Sequence, residues 1–525
     1  MAPRRVVVVG GGITGLTAAY RLLHPADAGT AVPRVVLIDS AERLGGKILS
    51  TPFEGRSVDE GADAFLLRVP WAIELCDELG ISAERISPAV GGASVAHLGT
   101  HGPQLTPLPD GLVGGVPTRL GPLVRSPLLG LAGTLRAAAD YVLPRWVTAR
   151  RSGPDGIDVV TSDPGENVRL RLESASVGDI VRSRLGAAVA SRVVDPLLGS
   201  ISAGDINRLD ATMSAPILGE ALGRSHSLMR GLRRMQPAPA ARAPDAAGPA
   251  PIFGSFEAGM GRLVEALVQR LDGCILRLGT PVEAIRRPGT RFAVDTGSEV
   301  LAADAVIVAA PAHAAAQMLP GAPDAAAALA RIGYASVAVV TLSVRPDAIE
   351  APQEAGLLVT RDTGWLTTAC SYGSAKWPTW SGGGNSDAGN SDAGDGGNGG
   401  IPNAILRISV GRHDDDRHTR VGDRELLETV VGELSGLAPL RALRDPAAIT
   451  SWRVSRWERS LPQYVPGHGH LVKRIESALA RELPGVFVTG AAYRGLGIPA
   501  CIRQGNEAAA AVAQYLGMDL PATSP

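Results

Sequence analysis

Residues 6–47 constrain the fold of this chain more than any other stretch. Val6, Val7, Val8 and Val9 read as a buried parallel strand, and Gly10, Gly12 and Gly15 follow as a Gly-x-Gly-x-x-Gly turn. An Ala/Leu-rich run at 16–23 reads as a helix, and a second apolar strand at 35–38 ends on Asp39. Strand, glycine turn, helix and strand in this order form a dinucleotide-binding unit. Gly10 makes the tight turn, Gly12 lets the backbone approach a diphosphate, and Gly15 lets the helix pack close to the strand. The diphosphate then sits at the helix N-terminus, among Gly11, Ile13 and Thr14, where unpaired N–H groups and the dipole favour an anion. Asp39, 24 residues after Gly15, is placed to bond the adenosine ribose hydroxyls. A glycine-rich turn in a plain α/β protein is the alternative, and a strand on each side with an acid closing the second argues against it.

The next residues choose between cofactors. Arg43-Leu44-Gly45-Gly46-Lys47 resembles the R-x-G-G-R/K motif of two-dinucleotide-binding-domain flavoproteins. Two more glycines and two cations at that point can follow the extended diphosphate of FAD. NAD enzymes do not usually carry this second element, so FAD is the expected cofactor.

At 525 residues the chain exceeds one ordinary core, and two interleaved domains are expected. A net charge of −1 gives no argument for nucleic acid. Cys76, Cys274, Cys370 and Cys501 lie far apart, which fits a reducing compartment and excludes a disulfide scaffold or zinc ribbon. No transmembrane segment is visible, and residues 1–9 lack a signal-peptide cleavage region. A cytoplasmic chain is expected. The leucine-rich run 120–143, set between arginines, reads as packed inside a helical region, with peripheral membrane contact as the alternative.

Further on, a helix at 71–79 ends at Gly80, and 95–235 is rich in Leu, Pro and Arg and reads as mostly helical. Residues 236–251, dense in Pro and Ala, read as a linker. A helix after Gly259-Met260-Gly261, strands at 281–285 and 292–296, and a buried strand at 305–309 return the chain to the cofactor-binding part. Alternation at 335–344, with strands at 356–359, 367–370 and 405–410, predicts a second sheet. Residues 381–400, almost wholly Gly, Asn, Ser and Asp, read as a disordered loop. The strand 486–490 and the helix 500–516 close the chain. The expected fold is α/β: a discontinuous FAD-binding Rossmann-like domain from 1–95, 252–320 and 450–520, interleaved with a mixed α+β substrate domain. The substrate domain takes a mainly helical part, 96–235, and a sheet-containing part, 321–449. Ligand chemistry belongs in the cleft between them.

With these segments in view, the chain resembles the oxygen-dependent protoporphyrinogen oxidase family of haem biosynthesis, and within it the Gram-positive branch acting on coproporphyrinogen III. The resemblance rests on GGGITGLTAAYRL at 10–22, RLGGK at 43–47, VDEGADAFLLR at 58–68 and DPLLGSISAGDINRL at 195–209. It continues through FGSFEAGMGRLVEAL at 253–267, TTACSYGSAKWP at 367–378, WERSLPQYVPGH at 457–468 and TGAAYRGLGIPACIRQG at 489–505. It implies a fold of the p-hydroxybenzoate hydroxylase type. FAD contacts would come from Gly10 to Gly15, Asp39, Ser40, Arg43, Gly46 and Lys47, and from Gly61, Ala62, Asp63 and Ala64. Val282 would meet the adenine, Trp457 would lie near the flavin, and Gly497, Ile498 and Pro499 would line the isoalloxazine. Independently of the resemblance, Gly490 at a strand end and the helix after Pro499 can present backbone N–H groups to the flavin N1–C2=O edge.

The implied chemistry is six-electron oxidation of a porphyrinogen, with O2 as acceptor and peroxide as product. It needs no catalytic triad or metal, and the nine histidines are scattered. Transient contact with other haem-pathway enzymes would follow. Propionates in a partly dry cleft call for Arg or Lys, and Arg68, Lys376 and Arg494 are the candidates. Residues 93–97 lack the Arg that precedes an aromatic in the mitochondrial and plant branches, which argues for the tetracarboxylate and against protoporphyrinogen IX. A flavin amine oxidase, a carotenoid desaturase and a non-catalytic escort-type binding protein are the rivals. With aromatics at 4%, the walls of an amine-oxidase site are hard to build.

Overall fold

A computed structural model describes residues 3–25, 32–144, 174–236, 251–350, 352–381 and 402–518. Residues 237–250 and 382–400, read above as linker and disordered loop, lie outside them. Seven strands organise the fold: β1 (Arg5–Val9), β2 (Arg34–Ile38), β3 (Ile275–Arg277), β4 (Ala305–Val308), β5 (Tyr334–Val344), β6 (Ile449–Pro462) and β7 (Val486–Val488). With them go four helices: α1 (Ile13–Leu23), α2 (Ala312–Met318), α3 (His468–Glu482) and α4 (Ile498–Leu516).

A five-stranded sheet runs in the order β3-β2-β1-β4-β7, with every pairing parallel. Its three central strands, β2, β1 and β4, are apolar beyond the arginines that open β1 and β2, because both faces are covered. Val6, Val8, Val35, Leu37 and Ile307 point into one core with α1, α4 and the helices Trp71–Leu79 and Gly261–Gln269. Val7, Val9, Val36, Ile38 and Val306 point into the other, with α2 and α3. Each such side chain taken fully out of water contributes about 1.5–3 kcal/mol.

The second sheet is mixed and seven-stranded. It begins with β6 and β5 and continues through Ala404–Val410, Thr367–Tyr372, Gly356–Val359, Ser94–Gly99 and Gly102–Pro107. Two expectations change here. Residues 450–462, expected in the cofactor-binding part, form the edge of this mixed sheet, because β6 pairs with β5 rather than with a parallel strand. Residues 96–235 open with strands before the helices start, since the alternation at 94–107 outweighs the Leu, Pro and Arg content.

The helical part packs around a charge. Asp140 and Arg184 are both fully buried and paired at 2.9 Å, and Asp140 also accepts from Ser227 Oγ and the Leu228 and Met229 N–H groups. In the run 120–143, Leu123, Leu128, Leu129 and Ala137 are buried in this core, while Val124, Leu131, Leu135 and Val142 are exposed. Among the described residues no helix is long and apolar enough to cross a membrane.

Candidate active site

The glycine turn forms as its spacing requires. Gly10 has φ 109°, and a β-carbon there would lie 2.8 Å from the Ala309 carbonyl. A β-carbon on Gly15 would fall 1.9 Å from the Gly10 oxygen, so the first turn of α1 could not approach β1 with any other residue. Gly12 differs: it caps α1 without a side-chain hydrogen bond, and a β-carbon there would meet nothing within 4 Å. The N-terminus of an eleven-residue helix therefore opens on free space, with its N–H groups unspent on side chains.

Around this opening the other predicted contacts assemble. Asp39 follows directly on β2 and accepts the Gly11 N–H at 2.5 Å and the Ala41 N–H at 2.8 Å. Ser40 beside it is exposed, and the chain from Leu278 to Val282 is held against this corner by Thr280 N–H to Asp39 O at 2.9 Å. Arg43 braces its own loop, donating to the carbonyls of Leu44, Gly46 and Ile48. Lys47 has no ion-pair partner among the described residues, and burial pushes its pKa down. A half-buried ammonium with no ion-pair partner among the described residues fits a site made for a bound anion. Uncapped helix, unpaired lysine and a carboxylate at the end of the second strand together suit a dinucleotide diphosphate, and FAD fits these residues.

A second helix N-terminus converges on the first. Gly497 caps α4, again without a side-chain bond, with Ile498 and Pro499 in the first turn. The approach of α4 to α1 is close enough that a β-carbon on Gly505 would lie 2.6 Å from the Thr14 oxygen. Gly490, at φ 116°, turns the chain after β7. Tyr464 fixes the loop between them, donating to Ala491 O at 2.5 Å and accepting from Gly495 N–H at 2.9 Å.

The turn Gly61, Ala62, Asp63 and Ala64 is locked to the mixed sheet. Arg407 donates to Gly61 O at 2.6 Å and pairs with Asp63 at 3.1 Å, and Lys376 pairs with Asp63 at 2.8 Å. Trp457 donates to Glu60 O at 3.1 Å, and its ring lies 3.3 Å from where a Gly61 β-carbon would be. Burial opposes ionisation of Asp63, but the Lys376 and Arg407 charges hold its pKa well below the ordinary carboxylate range. Nearby Asp59 goes the other way. Burial pushes its pKa up to about 6, only partly offset by the Ser50 hydrogen bond and the Arg407 charge, and Oδ2 has no partner.

That pKa sets a pH dependence. The folded chain holds the Asp59 proton more tightly than the unfolded chain does. Its contribution is therefore complete below about pH 4 and is lost as pH rises through 6. The Asp59→Asn protein should gain stability relative to wild type between pH 4 and 7, by up to about 3 kcal/mol. Urea midpoints at the two pH values measure this, and a pH-independent difference would overturn it.

The three predicted substrate cations fall in different places. Lys376 is spent on Asp63, with its ammonium 4.9 Å above the Trp377 ring. Arg494 is paired with Glu476 and lines a cleft of about 410 Å³ between α3 and α4 at the β7 edge, which shares no lining residue with the dinucleotide cradle. Arg68 is exposed and has no partner among the described residues. The sequence reading missed Asp59, Arg407, Tyr464 and His313. His313 lies in the first turn of α2, its ring edge-on to Tyr334 at 4.9 Å. Asp59 and Tyr464 stand inside quoted motifs, but their roles, like those of Arg407 and His313, depend on partners distant in sequence: Met260, Ala491, Gly61 and Tyr334. Among the described residues no three potential ligands gather to hold a metal.

The family described as flavin containing amine oxidoreductase matches residues 13–513. The chain belongs to that family. It is 30% identical to a coproporphyrinogen III oxidase of Bacillus subtilis, over 98% of each chain. It is 32% identical to one of Mycobacterium leprae, over 97% of this chain and 98% of that one. Among solved structures, an Exiguobacterium protein assigned as a protoporphyrinogen oxidase superposes with a TM-score of 0.77 at 25% identity, covering 98% of this chain and 100% of that one. The flavin oxidoreductase family and the α/β fold with a parallel Rossmann-like sheet and a mixed substrate sheet agree with the expectation from sequence.

Proposed function

We propose that the protein oxidises coproporphyrinogen III to coproporphyrin III, using FAD and three O2 and releasing three H2O2. The observation that carries this reading is likeness to coproporphyrinogen III oxidases along nearly the whole chain, combined with a cradle suited to a flavin dinucleotide. A bound flavin supplies the redox chemistry, accepting a hydride equivalent from a methylene bridge and passing electrons to O2.

The chain's own residues bind and orient. The α1 N-terminus and Lys47 take the diphosphate, and Asp39 takes the ribose. The α4 N-terminus, with Gly497 in extended conformation at its cap, offers N–H groups to the electron-rich edge of the ring. The Asp63–Lys376–Arg407 network fixes the 61–64 turn, and Trp457 closes the side of the site beside Gly61. No side-chain base is assigned.

Porphyrin fluorescence formed aerobically from coproporphyrinogen III and from protoporphyrinogen IX tests the reading. A kcat/KM about tenfold higher for the tetracarboxylate is expected, the worth of one further charge-assisted pair. Preference for protoporphyrinogen IX would overturn the substrate, leaving the flavin oxidoreductase family intact. No turnover of either by flavin-loaded protein would favour an amine or a polyene substrate.

A further inference from the structure

The strand β6 is interrupted where it reaches the cofactor cradle. It pairs with β5 as far as Trp457, opposite Val337, and pairing resumes at Leu461, opposite Ala335. Glu458, Arg459 and Ser460 thus stand against the single residue Ser336. Extra residues in one strand bend it and re-aim its side chains. Arg459 carries the bend, at φ 42°, a left-handed conformation that long side chains rarely adopt. The bulge is tied down by the Arg459 N–H, which donates to Ser336 Oγ at 3.0 Å.

What the bulge presents is a guanidinium without a protein partner. The other two arginines of β6 are engaged: Arg453 with Thr51 and Glu60, Arg456 with Asp423 and the carbonyls of His418 and Val421. Arg459 is exposed and makes no side-chain hydrogen bond or ion pair among the described residues. It nevertheless stands at the site. Trp457, two residues back, covers Gly61, and Tyr334, opposite Pro462, accepts the Ala312 N–H at 2.7 Å beside His313. Burial pushes the His313 imidazole below its ordinary range, and the charges of Arg459 and Lys47 add to that push. Neither Arg459 nor Lys47 has a carboxylate partner among the described residues.

We infer that Arg459 receives a substrate carboxylate at the mouth of the flavin cleft, an inference that rests on the porphyrinogen reading. A macrocycle with one bridge at the flavin keeps its propionates at the rim, and a guanidinium fork matches a carboxylate with two parallel hydrogen bonds. Lys376 and Arg494 are less suited, because Asp63 and Glu476 already neutralise them.

Arg459→Asn removes the charge with a residue that tolerates left-handed backbone, so the bulge should persist. The KM for coproporphyrinogen III is expected to rise about tenfold while kcat stays within about twofold and flavin content is unchanged. The wild-type KM should rise with ionic strength, and the variant's should rise less. Arg459→Lys, which keeps the charge but not the fork, should recover part of the loss. An unchanged KM and salt dependence in Arg459→Asn would overturn the assignment. So would an equal loss in Arg459→Lys, or a loss of flavin, since either places the effect in the backbone or cofactor. Absence of porphyrin from the wild-type protein would overturn the porphyrinogen reading itself, and the substrate assigned to Arg459 with it.

Discussion

Replacing Gly12 with valine is expected to give a folded protein that purifies without its flavin. A β-carbon there meets no protein atom within 4 Å, and the backbone, at φ −72° and ψ 175°, is one that any residue adopts. The cost to the empty chain is a changed helix cap, on the order of 1 kcal/mol or less. The cost to the cofactor is far larger, because the bulk occupies the space through which a diphosphate must approach the α1 N–H groups. Flavin absorbance per protein should fall to roughly a tenth of wild type or below, a loss of at least ~1.4 kcal/mol in binding. The far-ultraviolet circular dichroism should stay unchanged. Gly15→Ala is the contrast: its β-carbon lands 1.9 Å from the Gly10 oxygen, so the strand–helix contact itself must yield. Normal flavin content in Gly12→Val would remove the assignment of this turn to the diphosphate.

Asp63→Ala should be the most destabilising single change at the junction of the two sheets. It strips the partner from Lys376 and Arg407, which are 17% and 8% exposed and have no second carboxylate paired to them. Uncompensated cations in such a place cost about 3–5 kcal/mol. The Gly61 carbonyl would keep its bond from Arg407 only if that guanidinium stayed in place. Loss of urea stability should therefore be matched by loss of activity. Adding Lys376→Met should restore part of the stability, because it removes one of the stranded charges. A single-variant unfolding free energy within about 0.5 kcal/mol of wild type would show that solvent relaxes the network.

Local chemistry in this chain was legible and long-range contact was not. The valine runs of β1, β4 and β7 announce parallel strands because both of their faces are buried, so their composition needs no partner to be read. The glycine turn, Asp39 and the uncapped helix follow from spacing alone. β3 escaped notice, being a three-residue edge strand with Leu276 and Arg277 exposed. The bulge at Arg459 is invisible in sequence because it is defined by Ser336, 123 residues away. Lys376 looked like a free cation because Asp63 lies 313 residues before it. Mistaking paired charges for available ones is the natural error when partners come from different halves of the chain.

The same distances govern how the molecule comes to exist. β1 is made long before its neighbour β4, which starts at Ala305, and the sheet is closed by β7, which starts at Val486. The first glycine turn must then wait for α4 to bring up the facing helix end. Contacts of such sequence separation are slow to form, since loop closure is costly before any of them returns energy. Residues 5–516 must therefore all have left the ribosome before the cradle is complete, and removal of β7 and α4 should abolish flavin capture.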